Sequence, residues 1–384
     1  MMATSVGRDS FRRLFLIAGE SVQALAAIHE LVEEFDEIIV CSTARFGYGT
    51  HSVFTSRSEV YDDEDALMRM LRQCASKHES WLLPMVDEAA FFIARNESEL
   101  QSLGFYFLNP PLEDLTRFTN KYELANLLEA EGLSNLMTRS LSINDADDVQ
   151  YPRIAKPKQG AGARGFVILH SEKDYNKFVK ELTDDKNTYF SQRYLSVSRQ
   201  FKVTGAVING RVLASAALEK KRYFPINAGS STLCVEVKPD EYNASLLRTF
   251  AKLAALTSWT GIMDLDVIAD VELKNSHILE INPRLPACNA HYFKNGLKFL
   301  SLLIAQQEPS ILPEKFVSTQ YIGLDLMRGV SGGVAALWVC LRDILNPNIS
   351  TYELFPNDVR GAIVGFMGQV LRMRSNLRAK RKNP

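Results

Sequence analysis

Cysteine is scarce in this 384-residue chain, and its thiols do not pair up. Cys41, Cys74, Cys234, Cys288 and Cys340 are odd in number and widely scattered, with no metal-ligand or redox spacing. That excludes a disulfide scaffold and reads as reduced thiols in a cytosolic protein. The six histidines are scattered too, so no zinc site is expected. Neither sign of charge is in excess: 44 Lys and Arg stand against 45 Asp and Glu. A general nucleic-acid binder usually shows a strong basic excess, so that class is set aside. Long apolar runs are missing as well. "VSGGVAALWVCLRDIL" comes nearest to a membrane span, but it is short and broken by Arg342 and Asp343. The N-terminal "MMATSVGRDSFRRLFLIAGE" holds only a brief apolar run that continues into helix-like sequence, so no secretory leader is expected. Internal repeats and low-complexity tracts are absent.

What is present is length enough for two or three domains. Residues 13–18 read as a strand, 22–35 as a helix and Glu37–Cys41 as a second strand, a βαβ unit that implies a parallel sheet. "WLLPM" (81–85) and "FYFLN" (105–109) add short buried strands, with helix-like stretches at 63–78 and 87–102. No G-x-G-x-x-G follows the first strand, which gives a dinucleotide site there little support. Residues 1–110 are therefore expected to be a small α/β domain. Pro110-Pro111 punctuates the chain, and 119–132 reads as an amphipathic helix capped by Thr119 or Asn120 and stopped by Gly132. Strand-like pieces recur at 188–195, 201–208, 211–218 and 232–237, with Asn209-Gly210 as a hairpin signal. A helix at 240–257 and strands at 262–269 and 276–282 complete an antiparallel α+β region.

Two stretches carry chemistry. "RIAKPKQGAGARGF" (153–166) places Gly160, Gly162 and Gly165 between strand-like pieces, with Lys156, Lys158 and Arg164 around them. Such a loop lets backbone N–H groups approach a bulky anion, usually phosphate, and Lys156 could reach the same oxygens. A flexible hairpin with solvated lysines is the alternative. No G-K-[ST] follows, so the loop is not a Walker A. "GIMDLDVIADVELKNSHILEINPR" (261–284) reads as a hairpin. Residues two apart share a strand face, which groups Asp264 with Asp266, and Ile278 with Glu280 and Asn282. The hairpin can bring Asp266, Glu280 and Asn282 side by side, and an all-oxygen set of this kind suits Mg²⁺ or Mn²⁺.

Lys121 at a helix start, then "AKPKQGAGARG", "SQRYL" and "GIMDLDV…LEINPR", in that order, resemble the ATP-grasp superfamily over roughly residues 13–300. The resemblance implies a pre-ATP-grasp α/β domain (1–110), a small lid-bearing subdomain (111–190) and a large subdomain with the metal site (191–310). A C-terminal extension with a basic helical tail (311–384) follows. The implied fold is thus α/β plus α+β: a parallel-sheet domain, then two subdomains with antiparallel sheets. By position, Lys121 and Lys156 look like the nucleotide-binding lysines, and Gly160, Gly162, Ala163, Arg164 and Gly165 like the lid over the phosphates of ATP. Gln192, Arg193, Tyr194 and Leu195 look like the adenine hinge. Arg193 departs from the Glu that many relatives have there, and Gln200 is the candidate for the ribose. Asp266, Glu280 and Asn282 look like the metal ligands and Arg284 like the arginine beside the transferred phosphoryl group. Lys156 and Arg284 are the expected catalytic cations.

The implied chemistry is ATP-dependent ligation of a small carboxylate to an amine through an acyl phosphate, releasing ADP. A carboxylase acting through carboxyphosphate and a non-catalytic nucleotide-binding scaffold are the rival readings; no lysine-centred M-K-M carrier segment is present. Substrate contacts are expected from Arg222 and Lys221 in a basic loop, 219–232, and from Asp264, whereas Cys288 and His291 read as structural. The stretch from Asn357 onward reads as one helix with Ile363, Val364, Met367, Val370 and Leu371 on a stripe, ending in Arg372, Arg374, Arg378, Lys380, Arg381 and Lys382. It is read as packing on the core or on a partner in a homodimer, with a solvated tail. Contact with an anionic membrane surface is the other reading.

Overall fold

The computed structural model describes residues 11–143, 150–159, 165–182, 188–226, 229–237, 240–270, 276–309 and 317–382. The N-terminal part runs β1 (Arg12–Ile17), α1 (Val22–Leu31), β2 (Glu37–Ser42), β3 (Arg57–Val60), α2 (Glu64–Cys74), β4 (Glu79–Pro84), α3 (Asp87–Arg95), α4 (Glu97–Ser102) and β5 (Phe105–Phe107). Its strands pair in parallel in the order β3-β2-β1-β4-β5. Parallel strands covered on both faces read as unbroken apolar runs, which is why β1 and β2 were legible. Leu14 and Leu16 pack against α1, while Phe15 and Ile17 pack against α2 and α3 on the other side. The edge strand β3, Arg-Ser-Glu-Val, is largely exposed and carries no such signal.

Next come α5 (Leu112–Thr119), α6 (Lys121–Ala130), β6 (Ser140–Ser142), β7 (Arg153–Pro157), β8 (Val167–Leu169), α7 (Glu172–Glu181) and β9 (Tyr189–Arg193). The strands form an antiparallel sheet in the order β6-β9-β7-β8. Asn120 separates α5 from α6: its side-chain oxygen accepts the N–H groups of Tyr122 and Glu123 at 3.1 and 3.3 Å. Because β9 reaches Arg193, the expected boundary at 190/191 falls inside a strand of this sheet.

The largest sheet uses β10 (Val197–Ile208), β11 (Arg211–Phe224) and β12 (Ser230–Glu236), then, after α8 (Glu241–Ala255), β13 (Gly261–Asp270) and β14 (Ser276–Asn282). It follows the order β14-β13-β10-β11-β12-β15-β16. The rest of the chain is α9 (Asn289–Lys294), α10 (Phe299–Ala305), β15 (Ser318–Gln320), α11 (Ile322–Gly332), α12 (Val334–Ile344), β16 (Ile349–Thr351) and α13 (Val359–Lys382). Asn209 and Gly210 both have positive φ, as their hairpin turn requires. Phe201, Val203, Met263, Leu265 and Val267 bury one sheet face against Leu246, Phe250 and Leu253 of α8, leaving the opposite face of β10 and β13 for polar residues.

Two expectations are corrected here. The segment 219–232 is not a loop: β11 continues to Phe224 and β12 begins at Ser230. The C-terminal extension joins the large sheet, where β15 pairs with β12 and β16 with β15. Finally, α13 docks by glycine rather than by its apolar stripe. A Cβ at Gly365 would lie 2.2 Å from Tyr48 Cδ1, and one at Gly368 would lie 2.3 Å from the carbonyl oxygen of Phe46. Ile363, Met367 and Leu371 face outward instead.

Candidate active site

Alternation along β10, β13 and β14 puts a set of polar side chains on one sheet face. Register makes two rungs across the three strands. In one, Glu280 lies opposite Asp266, and Asp266 opposite Lys202; in the next, Asn282 lies opposite Asp264, and Asp264 opposite Thr204. The expectation that Asp266, Glu280 and Asn282 lie side by side agrees with this register. Ile278 does not share their face: a register shift after Asp266 sets Ile278 against Val267, in the core.

Ammonium groups interleave with these carboxylates. Lys202 Nζ lies 2.6 Å from Asp264 Oδ2 and 3.0 Å from Asp266 Oδ2, and Lys220 Nζ lies 3.2 Å from Asp266 Oδ1. Thr204 donates to Asp264 Oδ1 at 2.7 Å, and Asn282 Nδ2 donates to Asp264 Oδ2 at 3.2 Å. Lys121, at the start of α6, reaches Glu280 Oε2 at 3.1 Å. Burial alone would raise the Asp266 carboxyl, but Lys202 and Lys220 outweigh it and hold Asp266 well below the usual range. Glu280 goes the other way: burial and the charge of Asp266 raise it, and Lys121 only partly offsets them.

Lys156 on β7 is buried beside the same group, with its ammonium 5.3 Å from the centre of the Phe190 ring. Burial and the charge of Lys121 push it down to about 7. Arg284 donates from Nε to Asp87 Oδ1 at 2.9 Å, so α3 of the N-terminal domain reaches the edge of the site. Buried carboxylates and buried cations are therefore assembled from all three sheet regions. Cations held this way, largely out of bulk water, form a ready receptor for a polyanion.

Residues 118–288 match the family model described as an ATP-grasp domain. These residues form an ATP-grasp domain. A curated relative, the C-terminal section of the carbamoyl phosphate synthase large chain of Methanopyrus kandleri, is 22% identical over 179 residues, 45% of this chain and 33% of that protein. The matched region thus spans about a third of the relative's length. Among solved structures, N5-carboxyaminoimidazole synthetase of Staphylococcus aureus with ADP aligns at TM-score 0.65 and 14% identity, covering 85% of this chain and 86% of that one. The biotin carboxylase domain of Hydrogenobacter thermophilus 2-oxoglutarate carboxylase, with MgADP and bicarbonate, aligns at 0.63 and 12% identity, covering 80% and 73%. L-amino acid ligase of Bacillus licheniformis aligns at 0.57 and 15% identity, covering 77% and 73%. The mixed fold of an N-terminal parallel sheet followed by antiparallel sheets is shared with these structures.

Within this ATP-grasp frame the remaining expected residues take definite places. Gly160, Gly162, Ala163 and Arg164 lie outside the described residues. Gly165 is described: its φ is +76°, and a Cβ there would come within 2.7 Å of the Tyr189 hydroxyl, so only glycine fits. Gln192 is buried and donates to Thr138 O and Ser140 Oγ at 2.8 and 2.9 Å, which ties β9 to β6. Arg193 and Tyr194 are exposed just beyond, Leu195 is half-buried, and the Tyr194 N–H donates to Pro152 O. Gln200 sits on β10 opposite Lys220.

Arg222 is turned away from the substrate role expected of it. It is buried against Asp325 Oδ2 and Asp343 Oδ2, each at 2.7 Å, and these two carboxylates belong to α11 and α12. Lys221 is half exposed and pairs with Glu219 at 2.7 Å. Its neighbour Lys220 is the one that reaches Asp266. Sequence reading missed Lys202, Lys220, Thr204 and Asp87. A signal for two of them was available: in "QFKVTG" (200–205), Gln200, Lys202 and Thr204 alternate with Phe201, Val203 and Gly205, which marks Lys202 and Thr204 as sharing a face.

Proposed function

We propose that this protein is an ATP-dependent carboxylate–amine ligase that makes an amide bond on an amino acid or another small carboxylic acid. One observation carries the reading: Lys121, Lys156, Lys202, Lys220 and Arg284 surround Asp264, Asp266 and Glu280. A nucleotide polyphosphate supplies the negative charge that such a group of cations lacks.

The oxygen donors of Asp266, Glu280 and Asn282 fit Mg²⁺ or Mn²⁺, provided the ammonium groups now bound to the two carboxylates transfer to phosphate oxygens. Bound there, the cation would neutralise phosphate charge. Everything else falls to the chain. Lys121 and Lys156 bind and orient the phosphates. Lys156 is well suited to this role, because a phosphate beside it favours the protonated form that burial disfavours. Arg284, fixed by Asp87, stabilises charge that develops on the transferred group. The substrate carboxylate oxygen bonds to the γ-phosphorus as the bond to the ADP oxygen breaks. The amine then bonds to the acyl carbon, phosphate departs with the electron pair of the C–O bond, and the nitrogen loses a proton. The five free thiols fit a reducing, cytoplasmic setting.

The test is ADP and phosphate release measured over a panel of amino acids and amines, with product mass by spectrometry. Turnover that requires both an acid and an amine, with an amide product, supports the ligase. Bicarbonate-dependent turnover without an amine would make it a carboxylase, and tight nucleotide binding with no turnover in any mixture would make it a scaffold.

A further inference from the structure

The C-terminal helices separate their charges in an unusual way. Every acidic side chain between 317 and 384 is buried: Asp325, Asp343, Glu353 and Asp358. Asp325 and Asp343 hold Arg222, Glu353 accepts the N–H groups of Ile322 and Gly323, and Asp358 accepts those of Val53 and Gly361. The outward charges are cationic: Arg360 is exposed, and so is Arg342, although its guanidinium also donates to Asp343 at 2.8 Å. The sequence of α13 adds Arg372, Arg374, Arg378, Lys380, Arg381 and Lys382 and no acid.

The same helices expose apolar stripes. On α12, Val334, Trp338, Leu341 and Leu345 follow at intervals of four, three and four residues, which is one helix face continued just past its last turn. They are 86%, 62%, 45% and 82% exposed. On α13, Val359, Ile363, Phe366, Met367 and Leu371 repeat the pattern opposite the glycines that dock on Tyr48 and Phe46. The two helices are linked through α11. Leu337 of α12 lies against Gly329 of α11, and Phe366 and Gln369 of α13 lie against Gly323 at its start.

We infer that this face binds an anionic lipid bilayer at its surface. Apolar side chains with a tryptophan among them suit the acyl boundary, and basic residues without acids suit the phosphates above it. None of the helices among the described residues is long and apolar enough to cross a membrane, so the attachment is peripheral. A second copy is a poorer occupant: a two-fold contact through this face would set one cationic α13 against another. The inference is independent of the ligase reading.

Co-sedimentation of the full chain with vesicles tests it. Phosphatidylcholine vesicles with about 30 mol % phosphatidylglycerol should capture the protein, pure phosphatidylcholine should not, and salt should release it. Replacing Arg372, Arg374 and Arg378 with Gln should weaken binding on the order of a hundredfold. The exposed pair W338S/L345S should weaken it roughly tenfold or more while leaving the melting temperature unchanged. Failure of the intact chain to bind the anionic vesicles overturns the inference, as does undiminished binding by W338S/L345S. Light scattering that shows a dimer abolished by W338S/L345S would assign the face to a second copy instead.

Discussion

Replacing Lys156 with methionine should make the protein more stable and unable to hold ATP. The folded chain carries this lysine at about 7 rather than its ordinary 10.5, through burial and the neighbouring charge of Lys121. Each pH unit of that displacement is about 1.4 kcal/mol, so a protonated Lys156 costs the fold roughly 4–5 kcal/mol. The sign follows from proton counting. Between about 7 and 10.5 the unfolded chain holds a proton that the folded chain has released, so stability rises with pH across that window. Below 7 the cost is present in full; above 10.5 it is gone. Lys156→Met removes the charge and keeps most of the side-chain volume. Thermal melts from about pH 6 to 10 should therefore show the variant ahead by on the order of 5 °C at the acidic end, with the gap closing as pH rises. Calorimetric titration of ATP near neutral pH should show binding lost in the same variant. A melting difference that stays constant with pH, or a variant less stable than the parent at the acidic end, would refute the reasoning.

Arg222→Met should remove the buried cation between Asp325 and Asp343, leaving Asp343 to the exposed Arg342 at 2.8 Å and Asp325 to Arg328 at 3.9 Å, and lower stability by about 2–4 kcal/mol in denaturant melts. Under the proposed ligase activity the KM for the acid should not change; a selective rise in KM would return Arg222 to the substrate site. Mg²⁺ titrated alone should give little heat, because ammonium groups already hold Asp264, Asp266 and Glu280; Mg²⁺ with ATP should bind. Lys202→Met should let Mg²⁺ bind alone, and isothermal calorimetry would show it. Gly365→Ala should push the Tyr48 ring or the whole of α13, cost about 1–3 kcal/mol in denaturant melts and expose the α13 junction to limited proteolysis.

Much of this site was legible because strands announce their faces. Asp264 and Asp266 alternate with Met263, Leu265 and Val267, and "LEIN" repeats the device, so the pairing of β13 with β14 followed from period and polarity. Ile278 misled because a bulge leaves no mark in a single strand's pattern. Lys202 and Lys220 were harder: each pairs with an acid far away in sequence, at 62 to 64 residues for Lys202 and 46 for Lys220. No local spacing encodes such partners. Arg222 misled for the opposite reason. A run of basic residues near Pro225 reads as a solvated turn, while its carboxylate partners lie 103 to 121 residues further on, in helices whose role the sequence does not declare. The glycines of α13 were visible as letters, but that they form the docking face depends on what Tyr48 and Phe46 place beside them.

The interleaved lysines change how metal and nucleotide depend on each other. Three carboxylates this close, left alone, would repel one another and draw in a bare cation. Lys121, Lys202 and Lys220 neutralise them internally, so the group needs no metal to balance its charge. A polyphosphate can take over the ammonium groups only if something else neutralises Asp266 and Glu280, and a divalent cation can take over the carboxylates only if something else neutralises the lysines. Each ligand supplies what the other's arrival leaves unpaired. Linkage then requires that each raises the affinity for the other by the same factor. That equality can be measured from the two titrations, each run with and without the second ligand. Equal affinity for Mg²⁺ in the presence and absence of ATP would mean that the lysine pairs are bystanders.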